Sequence, residues 1–216
     1  MDHSFAVFGP QGTAPSVAYL QSIRTYIINH PVLKCIQEEI ASFGDVLALV
    51  ASKNKDIAAL PQAPEYLDHL QQWLVHGKPE AIVSVNSSIT TLPRLCIIHV
   101  VQYFQFLESK GLSHADFVSQ VRESGGGMQG YCGGMPAAVA LGSAANDEEV
   151  AQNVATTLRL AFAIGLYTEL GDDTRIPGLA IMVVRVEREE QAKELVAKFP
   201  GVRAPIFHSP LPMFTC

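Results

Sequence analysis

Charge is scarce in this sequence: Asp, Glu, Lys and Arg make up 17% of its 216 residues, against 48% hydrophobic. That balance excludes the high-charge, low-hydrophobicity composition of a disordered chain and leaves enough apolar side chain for a substantial core. The 15 Lys and Arg are scattered and outnumbered by 21 Asp and Glu, for a formal net charge of −6, so no basic stripe offers a footprint to nucleic acid. Long apolar runs are missing too. The most apolar stretch, Leu95 to Phe106, is broken by His99, Gln102 and Gln105 and falls short of the roughly 20 residues a bilayer-spanning helix needs. No cationic segment with an apolar core opens the chain at Met1-Asp2-His3-Ser4, so no secretory signal is read and a reducing, cytoplasmic setting is expected. Cysteine is sparse: Cys35, Cys96, Cys132 and Cys216 lie far apart without CxxC spacing, which argues against a zinc site and a disulfide framework.

What is present reads as an α/β chain. Ser4 to Phe8 is a short β-prone run ending at Gly9-Pro10, and a helix is expected from Pro15 to about Asn29. Helical patterns follow at Val32 to Phe43, Asp45 to about Ala59 and Pro64 to His76. Ser88 to Gly111 is the longest, with a broad apolar stripe suited to the back of a sheet and Gly111 as its stop. After a short helix from His114 to Arg122 comes a run nearly bare of side chains, Gly125 to Gly130. A buried helix is expected from Glu149 to about Leu170, with Asn146 or Asp147 as its cap. Ile181 to Val186, Glu187 to Phe199 and Val202 to Phe207 read as β-α-β. The polar, turn-rich stretch from Gly171 to Gly178 divides a body, 1–173, from a smaller segment, 174–216.

The chemistry centres on Gly130-Tyr131-Cys132-Gly133-Gly134. In the pattern glycine-x-nucleophile-x-glycine, the central residue sits on a sharp strand-to-helix turn whose crowded backbone demands small neighbours. The turn exposes the side chain and aims a helix N-terminus at it, which lowers a thiol's pKa and offers N–H groups to an oxyanion. On the pentapeptide alone two readings stand: Cys132 as a nucleophile, or as a small buried hydrophobe in a glycine-rich loop. Among the histidines, His99 reads as a satisfied core or edge residue, and His30, His69, His76 and His114 as surface or helix-end positions. None has metal spacing.

Several separate segments resemble the starter-unit acyl carrier protein transacylase domains of fungal non-reducing polyketide synthases. Val7-Phe8-Gly9-Pro10-Gln11 is similar to that family's first strand and loop, with proline where aspartate is usual. Asn86-Ser87-Ser88 and the stretch Leu95 to Phe104 resemble its long helix ahead of the nucleophile, Gly130 to Gly134 its cysteine motif, and Leu158 to Leu166 the helix after it. The resemblance covers most of residues 5 to 170.

It implies an acyltransferase-like core of the α/β-hydrolase type, with the β-α-β tail as a truncated ferredoxin-like subdomain. It implies that Cys132 takes an acyl group from acyl-CoA or a donor carrier protein as a thioester, then passes it to the phosphopantetheine thiol of an acyl carrier protein. No permanently bound cofactor is implied; the thioester is the substrate. The partners would be the carrier protein, acyl-CoA and the remainder of a polyketide synthase. Gln11 and the Gly133 N–H would serve the oxyanion. Ile164 stands where related malonyl transacylases carry an arginine, which implies a neutral acyl group, since a carboxylate there would be desolvated without a partner. The family's base is a late histidine. His208 is the only histidine after Cys132, but one readable β-α-β half instead of two leaves the tail short, as in a fragment. Two other readings compete: a dienelactone-hydrolase-like cysteine hydrolase using Asp172 or Asp173 with His208, and a truncated, non-catalytic transacylase that only contacts carrier protein.

Overall fold

The computed structural model describes residues 5–9, 15–83, 85–171 and 189–198. The chain divides into two compact units, Met1–Asp173 and Thr174–Cys216. In the second, the described part is a helix, α10 (Glu189–Lys198), within the expected 187–199. The two flanking β-like runs, 181–186 and 202–207, lie outside the described residues.

The first unit opens with strand β1 (Phe5–Phe8) and continues through helices α1 (Val17–Asn29), α2 (Lys34–Lys53), α3 (Lys55–Ala58), α4 (Ala63–Leu74) and α5 (Glu80–Val83). Then come α6 (Ser88–Lys110), α7 (His114–Glu123), strand β2 (Gly127–Gly130), α8 (Met135–Gly142) and α9 (Asp147–Gly171). The body is mostly helical. Its sheet, among the described residues, is β1 and β2 alone, paired in parallel with Phe5 opposite Gly127 and Phe8 opposite Gly130. This small parallel sheet in a mostly helical body is compatible with the expected α/β class.

Side-chain caps fix the helix boundaries. Ser16 accepts the Tyr19 N–H, so α1 begins at Val17 and leaves Pro15 outside. Ser87 caps α6 and Gly111, at φ +65°, ends it. Ser113 and Asp116 close a reciprocal capping box on α7. Asn146 accepts the Glu149 N–H at 2.9 Å, resolving the cap of α9 in its favour. The break expected between residues 43 and 45 is absent: α2 runs unbroken through Gly44 to Lys53. Ile36, Ile40 and Phe43 are buried along it, and this packing outweighs the roughly 1 kcal/mol that a mid-helix glycine costs.

The core lies around α6, fourteen of whose residues are buried. Helix α9 packs along α6 and against α2, where Phe43 and Phe162 stack with centroids 4.4 Å apart. Trp73 of α4 is fully buried and its indole N–H donates to the Leu20 carbonyl at 3.0 Å. Two carboxylates tie the layers together. Buried Glu39 receives Arg159 through both oxygens at 2.6 Å. Glu169 accepts the Ser87 hydroxyl at 2.7 Å and the Ser88 N–H at 2.6 Å, fixing the start of α6 from the end of α9.

His114 takes the helix-end position of the two expected for it, as the first residue of α7, and it is buried there. Its Nε2 faces the Ala144 carbonyl at 3.1 Å, an acceptor only, so Nε2 carries the proton and Nδ1 accepts the Tyr103 hydroxyl at 2.8 Å. Burial holds its pKa below the ordinary imidazole value.

Candidate active site: the cysteine turn between β2 and α8

Strand β2 ends at Gly130, and the chain turns through Tyr131 into a short 3-10 turn, Cys132–Gly134, that runs into α8. Cys132 has φ +53°, the one positive φ among the described residues other than glycine. A side chain in the left-handed region is strained, and such strain persists only where surrounding structure over-determines it.

The surroundings do so residue by residue. The Phe8 carbonyl at the end of β1 accepts the Tyr131 N–H at 2.9 Å, and the Tyr131 carbonyl accepts the Gly134 N–H at 3.0 Å. A Cβ on Gly134 would collide with the Phe8 carbonyl, and one on Gly130 would collide with the Gly134 carbonyl and the Met135 backbone. Both contacts are backbone, so neither yields. At Gly133 the obstacle is the Leu95 side chain of α6. The glycines thus let strand, turn and helix approach closely, and the bare strand Gly127–Gly130 exists because β1 pairs with it and α8 covers it.

Of the three described cysteines, Cys132 alone is exposed. Burial, with Glu38 and Glu39 nearby, pushes the Cys35 thiol up to about 11, and burial alone pushes Cys96 up to about 12. Both are therefore protonated and inert near neutrality. Cys132 meets solvent on a turn that leads directly into α8.

Of the four residues singled out as the site, the structure brings Cys132 and Gly133 together on this turn. Gln11 and His208 lie outside the described residues, as do Asp172 and Asp173. No group of three His, Cys, Asp or Glu side chains poised to hold a metal occurs among the described residues, and no described helix is long and apolar enough to cross a membrane. Three supporting residues were named in the sequence reading but given no role at the site. Phe8 and Leu95 matter through a carbonyl and a methyl group, which leave no motif. His99 is buried as expected of a core residue, but it is not satisfied: its Nδ1 has no hydrogen-bond partner among the described residues.

Two parallel strands, an exposed cysteine at positive φ and the start of α8 make up this turn in a mostly helical body. No family model matches the chain. The chain is homologous to a region of fungal non-reducing polyketide synthases. It is 41% identical over 197 residues to the non-reducing polyketide synthase atr1 of Stereocaulon alpinum, covering 91% of this chain and 8% of that protein. It is 33% identical over 198 residues to ascC of Acremonium egyptiacum, covering 92% and 9%, and 41% identical over 148 residues to pks12 of Talaromyces marneffei, covering 66% and 8%. The chain thus spans less than a tenth of the length of these relatives.

Proposed function

We propose that the chain is a starter-unit acyl carrier protein transacylase of polyketide biosynthesis, working through a thioester on Cys132. The observation that carries the reading is the strained, exposed Cys132 turn, on a chain homologous over nine-tenths of its length to polyketide synthases.

In the first half-reaction the Cys132 thiolate attacks the carbonyl carbon of an acyl-CoA. A tetrahedral oxyanion forms, the bond to the CoA sulfur breaks, and CoA leaves with the proton that a base took from Cys132. The second half-reaction repeats the exchange with the phosphopantetheine thiol of a carrier protein as nucleophile. Thioester exchange is nearly isoenergetic, so catalysis consists of stabilising two oxyanions, a task assigned to the Gly133 N–H and Gln11. His208 is the base in this scheme. No resident cofactor is required, the cytoplasm is the setting, and the partners are acyl-CoA, a carrier protein and the remainder of a synthase.

The acyl group is neutral. The face of α9 that meets α8 at Asn153, whose amide donates to the Ala140 carbonyl at 3.2 Å, continues along the helix to Leu160, Ile164 and Tyr167. Helix α8 has 8 residues and α9 has 25, about 12 Å against about 37 Å. Beyond the elbow this face is therefore uncovered, and the three side chains are 57%, 44% and 52% exposed. Leu160, Ile164 and Tyr167 include no cation to pair a malonyl carboxylate, which supports a neutral acyl group.

The test is radiolabelling. Acetyl- and hexanoyl-CoA should label the protein on Cys132, the label should pass to an acyl carrier protein, and Cys132→Ala should abolish both. Label released only to water would favour the hydrolase reading. Absence of label in the wild-type protein would favour a non-catalytic carrier-protein-binding role, and preference for malonyl-CoA would overturn the neutral acyl group.

A further inference from the structure

We infer that His99 is a positioning residue for Cys132, acting through Phe8 to hold the nucleophile turn in its strained conformation. The inference rests on Cys132 as the reactive thiol.

The α6 face toward the turn carries Leu95, His99 and Tyr103 at successive four-residue steps. Leu95 closes on Gly133. The His99 ring meets the Phe8 ring edge-on, centroids 6.0 Å apart at 67°, and Tyr103 meets the same ring at 6.3 Å. The Phe8 carbonyl in turn holds the Tyr131 N–H and sits where Gly134 can have no side chain. Phe8 is thus the joint between α6 and the cysteine turn: its ring rests on His99 and Tyr103, and its backbone fixes the residue preceding Cys132.

The two supports differ. Tyr103 is locked by its hydroxyl to His114, which is locked to Ala144. His99 is 8% exposed, with Nδ1 unpartnered among the described residues. A phenylalanine would fill the place without burying an unpaired polar atom, so stability alone does not account for a histidine here. An imidazole differs from phenylalanine in that it can take a proton. Neutral, it suits the apolar contact with Phe8; as imidazolium it demands solvation and withdraws from the ring.

The strand against it, Phe5 to Phe8, carries no titratable side chain; the titratable groups one turn away on α6 are Cys96 and Tyr103, both of which burial keeps un-ionised. Burial alone depresses the His99 pKa. The folded protein therefore keeps His99 neutral at neutral pH, and support for Phe8 fades as pH falls below the ordinary imidazole range.

The readout is the rate at which iodoacetamide alkylates Cys132, followed by mass spectrometry from pH 8 to pH 5 in the full chain. His99→Phe keeps a ring but cannot titrate, so its rate relative to wild type should be flat above pH 7.5 and rise at least threefold by pH 5. His99→Ala, which removes the ring, should be slower than wild type at every pH, with an unchanged mass-spectrometric signature at Cys35 and Cys96. A ratio of His99→Phe to wild type that stays constant across the range overturns the proposal, even if His99→Ala fails to fold. Alkylation needs no acyl donor. A chain that alkylates as expected but forms no acyl-enzyme therefore refutes the transacylase reading while leaving the role of His99 intact.

Discussion

The helical region from α1 to α5 and the cysteine turn are held in opposite ways. In the first, side chains do the work: Trp73 fills the centre, Arg24 donates to the Leu74 and Val75 carbonyls at 3.0 and 3.2 Å, and Gln37 reaches Leu74 at 2.7 Å. In the second, side chains are removed so that backbone can meet backbone at Gly130, Gly134 and Phe8. A packed core tolerates local change by relaxing around it. A backbone contact has no such give, and it is this rigidity that can hold a cysteine at positive φ.

Three substitutions can break or sharpen the contrast. Trp73→Ala should cost the most stability, about 3–5 kcal/mol in denaturant unfolding, while Cys132 in the remaining folded protein alkylates at the wild-type rate; a changed rate would mean that the two regions are not separable. Gly134→Ala should cost about 1–3 kcal/mol by overpacking and slow Cys132 alkylation at least tenfold, because the added methyl must push the Phe8 carbonyl away. Retention of both stability and rate would remove the backbone-contact account of the turn. The same exchange at Gly44 should have the opposite sign. A Cβ there meets nothing within 4 Å, so Gly44→Ala should stabilise by about 0.5–1 kcal/mol through helix propensity, read as a shifted unfolding midpoint with Cys132 chemistry unchanged.

The contrast also explains what could be read from the residues in order. The end of α6 and the start of α9 were legible because Gly111 and Asn146 act locally, on backbone a few positions away. The continuity of α2 through Gly44 was not, since it depends on tertiary burial of Ile40 and Phe43. Strand β2 carries almost no side chain of its own, so its existence is decided by β1, far off in the sequence. Cys132 stood out through its glycines, which record the crowding of the turn. The support beneath it, Phe8, Leu95 and His99, comes from elements that are distant along the chain and show no shared pattern.

The parallel register of Phe8 with Gly130 has one more consequence, for the order of assembly. The two strands beside the cysteine turn are separated by seven helices, α1 to α7, and contacts between such distant parts form late. During synthesis the first strand must therefore wait for the helical body before its partner emerges. Of the three described thiols, Cys35 and Cys96 are covered with the helical body, in α2 and α6, while Cys132, which follows the second strand, is set last and at the surface. Pulse alkylation during refolding should record that order, making the pattern of thiol labelling a clock for completion of the fold.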